Sequence, residues 1–161
     1  MSYDEGTEVT VSGIVRADAM IAAPLTGEPC VAHYTHARVW DRLDAAGSLV
    51  DDIVITRLQP FVLETGADPI HVAGGTFFVA IKPRDVWPHP ADAAAVLRLR
   101  DLERYLRSTF FDHVIVRRGD RITVTGVVAH DVDLAAEHGY RDTAVLTRLV
   151  GYAGRPLTIS R

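Results

Sequence analysis

Alternating apolar and polar residues predict a chain built mostly of short β-strands. In residues 30–42 the odd-numbered side chains from Val31 to Val39 fall on one face of a strand, and the even-numbered ones fall on the other. Further strands are predicted at residues 7–16, 52–58, 61–64, 69–73, 76–81, 114–116, 121–130, 144–151 and 156–160. Many short strands separated by turn residues are typical of a small β-barrel.

One segment, residues 91–108, has the apolar spacing of an α-helix. Pro90 precedes its first turn, a position that suits the start of a helix. The spacing places Leu99, Leu102 and Leu106 on one face, so we expect all three to be buried. We expect this helix to pack across an open side or end of the barrel.

The predicted fold class is therefore mainly β, a small OB-like antiparallel β-barrel with one inserted or appended α-helix. The chain has 161 residues, of which 48% are hydrophobic and 24% charged. Those values suit a single domain that spans residues 1–161. Gly13 interrupts the first strand, which predicts a bulge or the close approach of another backbone.

Charge and cysteine content exclude several classes of protein. The formal net charge of −4 argues against a general nucleic-acid binder, which usually carries a basic face. Cys30 is the only cysteine, so neither an intramolecular disulfide nor a multi-cysteine zinc site can form. The polar N-terminus does not resemble a signal peptide, and no apolar run is long enough to span a bilayer. We expect a cytoplasmic protein, or the soluble portion of a membrane-associated one.

Candidate catalytic chemistry is weak in this sequence. His33 and His36 point to opposite faces of one strand and cannot share a metal there. No residue near Cys30 in the sequence enforces a nucleophile–base pair, so we expect a buried, structural thiol. The polar stretch His130–His138 is closest to a ligand cluster, but it matches no known metal spacing. We predict no metal, no cofactor and no enzymatic activity. The alternatives are a small hydrolase-like enzyme that uses the His130–His138 loop, and an OB-like domain that binds single-stranded nucleic acid.

Four stretches of the chain, taken in order, resemble one family, the GIDE domain. They are SGIVR followed by APLTGEPCVAHY, then FVLETGADPIHV, RRGDRITVTGVV, and YRDTAVLTRLVGYAGRPLTIS. This domain occurs in membrane-anchored ubiquitin ligases of the MULAN type and in many prokaryotic membrane proteins. The resemblance implies a non-enzymatic sensor or interaction module with an unknown protein partner or ligand. It does not imply ligase activity, because one cysteine cannot form the RING finger of those ligases.

We expect the binding surface to include the loop between residues 23 and 29. Proline restricts the backbone at both ends of this loop, and Gly27 suits a backbone angle that other residues resist. Such a loop is rigid in advance and loses little entropy on binding. The candidate binding residues are Pro24, Leu25, Thr26 and Gly27. Leu25 is either an exposed apolar anchor or, if the loop only closes the end of the barrel, turned inward. Arg141, in the last of the four similar stretches, is the fifth candidate.

Overall fold

The computed structural model describes residues 3–42, 46–132 and 145–161. The elements in chain order are β1 (Glu8–Arg16), β2 (Ile21–Ala22), β3 (Pro29–Cys30), β4 (Ala32–Asp41), β5 (Ser48–Leu58), β6 (Phe61–Glu64), β7 (Ile70–Gly75), β8 (Phe77–Val79), β9 (Arg84–Val86), α1 (Pro90–Arg98), a 3₁₀ helix (Glu103–Ser108), β10 (Thr109–Val116), β11 (Arg121–Val132), β12 (Val145–Gly151) and β13 (Leu157–Ser160). The strong preference for strands agrees with the alternation of apolar and polar residues.

The chain divides into two compact units, and neither is a continuous stretch. The barrel unit is formed within Met1–Ala19, Leu58–Ile81 and Arg117–Arg161, and the sheet unit within Met20–Arg57 and Lys82–Val116. The expectation that residues 1–161 form a single domain stays a prediction.

Five strands of the barrel unit form a closed ring. Around the ring the order is β1, β6, β7, β12, β11 and back to β1, so every ring strand has two neighbours. All neighbouring pairs are antiparallel except β7 and β12, which run parallel. Strand β13 pairs with β11, and β8 extends from β13 in parallel. The predicted fold class, mainly β with a small barrel and one helix, is confirmed.

Alternation sorts the ring strands into a buried and an outer set of side chains. The buried set includes Val15, Phe61, Leu63, Ile70, Val72, Val124 and Leu149, all at most 3% exposed. Gly13 confirms the predicted close approach, because a Cβ there would lie 2.6 Å from the carbonyl oxygen of Glu64 on the neighbouring strand. A side chain at that position would push β1 and β6 apart.

The sheet unit is a four-stranded sheet in the order β5, β4, β10, β9, and α1 packs on one face of it. The residues of β4 alternate between two faces, as predicted: His33, Thr35, Ala37 and Val39 are buried, whereas Tyr34, His36, Arg38 and Trp40 are half-buried. Ala93, Val96 and Leu97 of α1 join the buried residues of this sheet in one apolar cluster. The helix therefore covers the sheet. Strand pairing closes the ring, so the barrel has no open side for the helix to cover, and packing across an end of the barrel stays a prediction.

The predicted helix at residues 91–108 was wrong in its second half. The helix ends at Arg98, and Asp101 adopts a left-handed backbone with φ of 56°. The Leu102 N–H donates to the Leu97 carbonyl at 3.1 Å, and the Asp101 N–H donates to the Arg98 carbonyl at 3.3 Å. This is the hydrogen-bond pattern of a Schellman motif, which stops an α-helix.

The termination of α1 changes which leucines are buried. Leu99 is 64% exposed, so its predicted burial was wrong, whereas Leu102 is 8% exposed, as predicted. Leu106 is half-buried and packs against the same apolar cluster. Leu102 follows the left-handed residue, and the reversed backbone turns its side chain towards the core.

Candidate functional site

The loop predicted to bind is a tight hairpin between β2 and β3. The Ala23 N–H donates to the Glu28 carbonyl, and the Gly27 N–H donates to the Ala23 carbonyl, each at 2.9 Å. Gly27 has a φ of 68°, the left-handed angle that glycine adopts without strain. The hairpin is therefore as constrained as its sequence suggested.

Leu25 does not form an exposed anchor in this hairpin. Its side chain is 1% exposed and belongs to the apolar cluster that contains Val39, Leu97 and Phe111. The short hairpin directs Leu25 into the sheet unit's core because burying a leucine side chain contributes about 2 kcal/mol. Of the two alternatives for Leu25, the structure has the one in which the side chain is turned inward.

The other four candidate binding residues remain untested. Pro24 is half-buried, and Thr26 and Gly27 are exposed. Arg141 lies outside the described residues, as does most of the His130–His138 loop, of which only residues 130–132 are described. Their role in binding stays a prediction.

A different set of polar side chains converges on the outer face of the barrel. Arg16 on β1 lies opposite Val62 on β6, Val62 lies opposite His71 on β7, and His71 lies opposite Arg148 on β12. Residues in register across neighbouring strands share a face. Because each has a buried chain neighbour, Arg16, Val62, His71 and Arg148 form one outward-facing row, which we call the cationic row for its two arginines.

The cationic row lines a groove on the barrel. This concavity has a volume of about 510 Å³, and its apolar walls include Pro60, Val62 and Leu146. A second concavity of about 590 Å³ adjoins it and shares His71 and Leu146. The wall of the second concavity is richer in hydroxyl groups, among them Thr10, Ser12 and Thr65. The two concavities together are long enough to hold an elongated ligand.

The two arginines of the row are each held by a carboxylate. Arg16 Nη2 lies 2.9 Å from Glu64 Oε2, and Arg148 Nη2 lies 2.9 Å from Asp131 Oδ2. All four side chains are between 38% and 50% exposed. Exposed ion pairs are worth about 0–1 kcal/mol, so a carboxylate on a ligand could displace either partner at little cost.

A second polar cluster lies on the face of the sheet opposite α1. His36 Nδ1 is 3.3 Å from Asp112 Oδ2, and His36 Nε2 contacts Asp52 Oδ1. Arg38 Nη2 also lies 3.3 Å from Asp112 Oδ2. Burial, followed by the nearby carboxylates of Asp112 and Asp52, raises the pKa of Tyr34. Because a carboxylate from a neighbouring strand engages each ring nitrogen of His36, we interpret this cluster as structural.

Neither a metal centre nor a membrane helix is found in the chain as far as it is described. Within residues 3–42, 46–132 and 145–161, no three His, Cys, Asp or Glu side chains are placed to hold a metal ion. Over the same residues, none of the helices has the length and apolar character needed to cross a bilayer.

Sequence reasoning missed the cationic row because its members are distant in the chain. Arg16, His71 and Arg148 lie on three different predicted strands, and only the pairing register brings them together. The available signal was their position: each alternates with a residue that is now seen to be buried.

Comparison of the chain with protein-family models, with curated proteins and with solved structures found no match.

Proposed function

We propose that this protein is a non-enzymatic binding module whose barrel groove holds an elongated ligand with an acidic group. The observation that carries the proposal is the cationic row, which places Arg16, His71 and Arg148 along one groove with apolar walls. Ligand sites commonly combine a mostly apolar lining with a few oriented polar groups.

The position of the groove supports this proposal by analogy with other barrels. In OB-like barrels, ligands bind on the face of the second and third strands. Here β6 and β7 are the second and third ring strands in chain order, and they carry Val62 and His71 of the row. The analogy concerns the fold alone and names no ligand.

The chemistry of the row indicates which ligands fit. Arg148 and His71 lie on neighbouring strands, which are about 4.8 Å apart, so one carboxylate can contact both side chains. Apolar groups on either side of that carboxylate would contact Val62 and Leu146. An extended peptide segment with alternating apolar and acidic residues has both features.

The resemblance to the GIDE domain leads to the same proposal, a sensor or interaction module with a protein partner or ligand. It remains a resemblance carried by four stretches of sequence. Ubiquitin-ligase activity is not part of the proposal, since the chain has one cysteine.

The test is a titration of isotope-labelled protein with an N-acetylated peptide of alternating Leu and Glu, followed by NMR. We expect saturable shifts at Val62, His71 and Leu146, and no such shifts with the matched Leu–Gln peptide. Arg148→Gln should weaken binding about tenfold or more, because a charge-assisted hydrogen bond contributes about 1.5–3 kcal/mol. Arg118→Gln, which removes the same charge at an exposed turn, is the control. Equal affinity in the wild type and Arg148→Gln, or no saturable binding, would contradict the proposal.

A further inference from the structure

A pocket in the sheet unit concentrates positive charge. It has a volume of about 510 Å³ and lies where the end of β4 meets the 3₁₀ helix. Its wall contains three arginines and one carboxylate, with a tyrosine and a serine: Asp41, Arg42, Arg104, Tyr105, Arg107 and Ser108. All six residues come from two short stretches of chain.

The 3₁₀ helix brings two of the arginines to the same side. Residues three apart eclipse each other in this type of helix, so Arg104 and Arg107 project in the same direction. The guanidinium carbon of Arg104 lies 4.8 Å from the centre of the Tyr105 ring, a cation–π contact that limits its freedom. Hydroxyl groups of Ser108 and Thr109 donate to the Tyr105 carbonyl at 3.2 and 2.8 Å and hold the end of the helix. The pocket is thus shaped before a ligand arrives.

The arginines of this pocket differ from those that are paired with a carboxylate. Six arginines each form a salt bridge: Arg16, Arg38, Arg98, Arg100, Arg148 and Arg161. Arg42, Arg104 and Arg107 form none with any residue that the structure describes. Among the residues that the structure describes, the wall holds three guanidinium charges and one carboxylate, Asp41, a net charge of +2 in a chain whose net charge is −4. Such a local excess attracts an anion with about two negative charges.

We propose that this pocket binds the phosphate group of a small phosphate monoester or diphosphate. A phosphate monoester carries about −1.5 to −2 charges near neutral pH, which matches the net charge of the wall. The planar guanidinium group donates paired hydrogen bonds to phosphate oxygens. A carboxylate accepts such bonds too, but its single negative charge matches the net charge of the wall less well. The site lies in the sheet unit and is independent of the barrel groove in its residues and in its ligand.

Isothermal titration with inorganic phosphate and inorganic pyrophosphate at low ionic strength tests this site. We expect saturable binding of one equivalent, tighter for pyrophosphate, that weakens as sodium chloride is added. Arg107→Gln should weaken pyrophosphate binding about tenfold or more, since it removes a charge-assisted contact. The double variant Arg42→Gln/Arg107→Gln should abolish binding. Because these arginines are exposed, both variants should melt within a few degrees of the wild type.

Two control variants and one control anion make the result decisive. Arg118→Gln removes an exposed arginine elsewhere and should bind pyrophosphate like the wild type, as should the groove variant Arg148→Gln. Acetate should show no saturable binding in the same buffer. The proposal is overturned if acetate binds as tightly as phosphate, if no oxyanion binds saturably, if Arg42→Gln/Arg107→Gln binds normally, or if either control variant loses binding equally.

Discussion

Two histidines three residues apart illustrate how the environment of a single residue decides its chemistry. His36 lies on the face of the sheet opposite α1, between the carboxylates of Asp52 and Asp112. His33 points into the core, is 1% exposed, and has its Nδ1 3.4 Å from the hydroxyl of Thr35. Strand alternation predicted their opposite directions, but only the neighbouring strands determine what each ring contacts.

Burial lowers the pKa of His33 below its usual value, and the nearby positive charges of Arg57 and His113 act in the same direction. The backbone of Ile55 opposes this effect. Below the unfolded pKa of about 6.5, the unfolded chain therefore binds a proton more readily than the folded one. The stabilising contribution of neutral His33 is complete above that pH and is lost as the pH falls.

We therefore predict that His33→Gln reduces the loss of stability on acidification. The measurement is urea unfolding of both proteins at about pH 7.5 and at about pH 5.5. The wild type should lose more free energy of unfolding between the two conditions than the variant does. An equal loss in both proteins would show that His33 does not titrate differently in the folded state.

At the scale of secondary-structure elements, the end of α1 shows how one residue can redirect a helix. The apolar spacing of residues 91–108 predicted an uninterrupted helix, because leucines recur at helical intervals throughout. The chain instead reverses at Asp101, which takes the left-handed angle most often adopted by glycine. Asp can adopt this angle at some energetic cost, so the sequence carried no clear stop signal.

Leu99 and Leu102 provide a matched pair to test this arrangement. Leu102→Asp should cost about 3 kcal/mol or more in free energy of unfolding, because it buries an unpaired charge in the sheet unit's core. Leu99→Asp introduces the same side chain at an exposed helix end, where its effect on the helix dipole should be about 1 kcal/mol or less. Thermal and urea unfolding measure both values. Similar losses in the two variants would mean that the helix continues past Arg98.

At the scale of the whole molecule, pairings between distant segments define the two units. Strand β1 pairs with β11, more than a hundred residues away, through a register that aligns Thr10 with Thr125. Their hydroxyl groups lie 2.8 Å apart on the exposed side of this pair. The sheet unit likewise pairs β4 with β10 across an intervening stretch that includes α1. Contacts of this kind form only when the folding chain closes long loops.

The single thiol reports on the opening of the folded molecule. Cys30 has no exposed surface and packs with Ala23 and Ile115, so alkylation requires the surrounding structure to open. We predict that iodoacetamide modifies the native protein about a hundredfold more slowly than the urea-unfolded chain, which corresponds to an opening free energy of about 3 kcal/mol. Mass spectrometry of the single adduct measures both rates.

A relocated thiol is the control for this prediction. In the double variant Cys30→Ala/Thr26→Cys, the only thiol lies at an exposed position of the same hairpin. It should react in native buffer at nearly the rate of the unfolded chain. Rapid alkylation of native wild-type protein would contradict the burial of Cys30.

The sequence by itself determined the elements whose signal is local. Alternation located most strands and the buried face of β4, because a strand with one covered face needs apolar residues at every second position. Short edge strands do not show this alternation. Arg84–Val86, for example, has only three residues, and two of them are charged, so no period can be detected. The constrained 23–29 hairpin was also visible, since proline and glycine restrict the backbone wherever they occur.

Only the tertiary structure decided which residues converge. Pairing register between distant strands forms the cationic row. Packing between distant segments forms the pocket lined by Arg42, Arg104 and Arg107 and turns Leu25 inward. A local pattern shows that a side chain leaves one face of a strand, but not which strand lies beside it. For this reason the strands were largely predictable, whereas the groove with Arg16, His71 and Arg148 could be recognised only from the pairing of the strands in the closed ring.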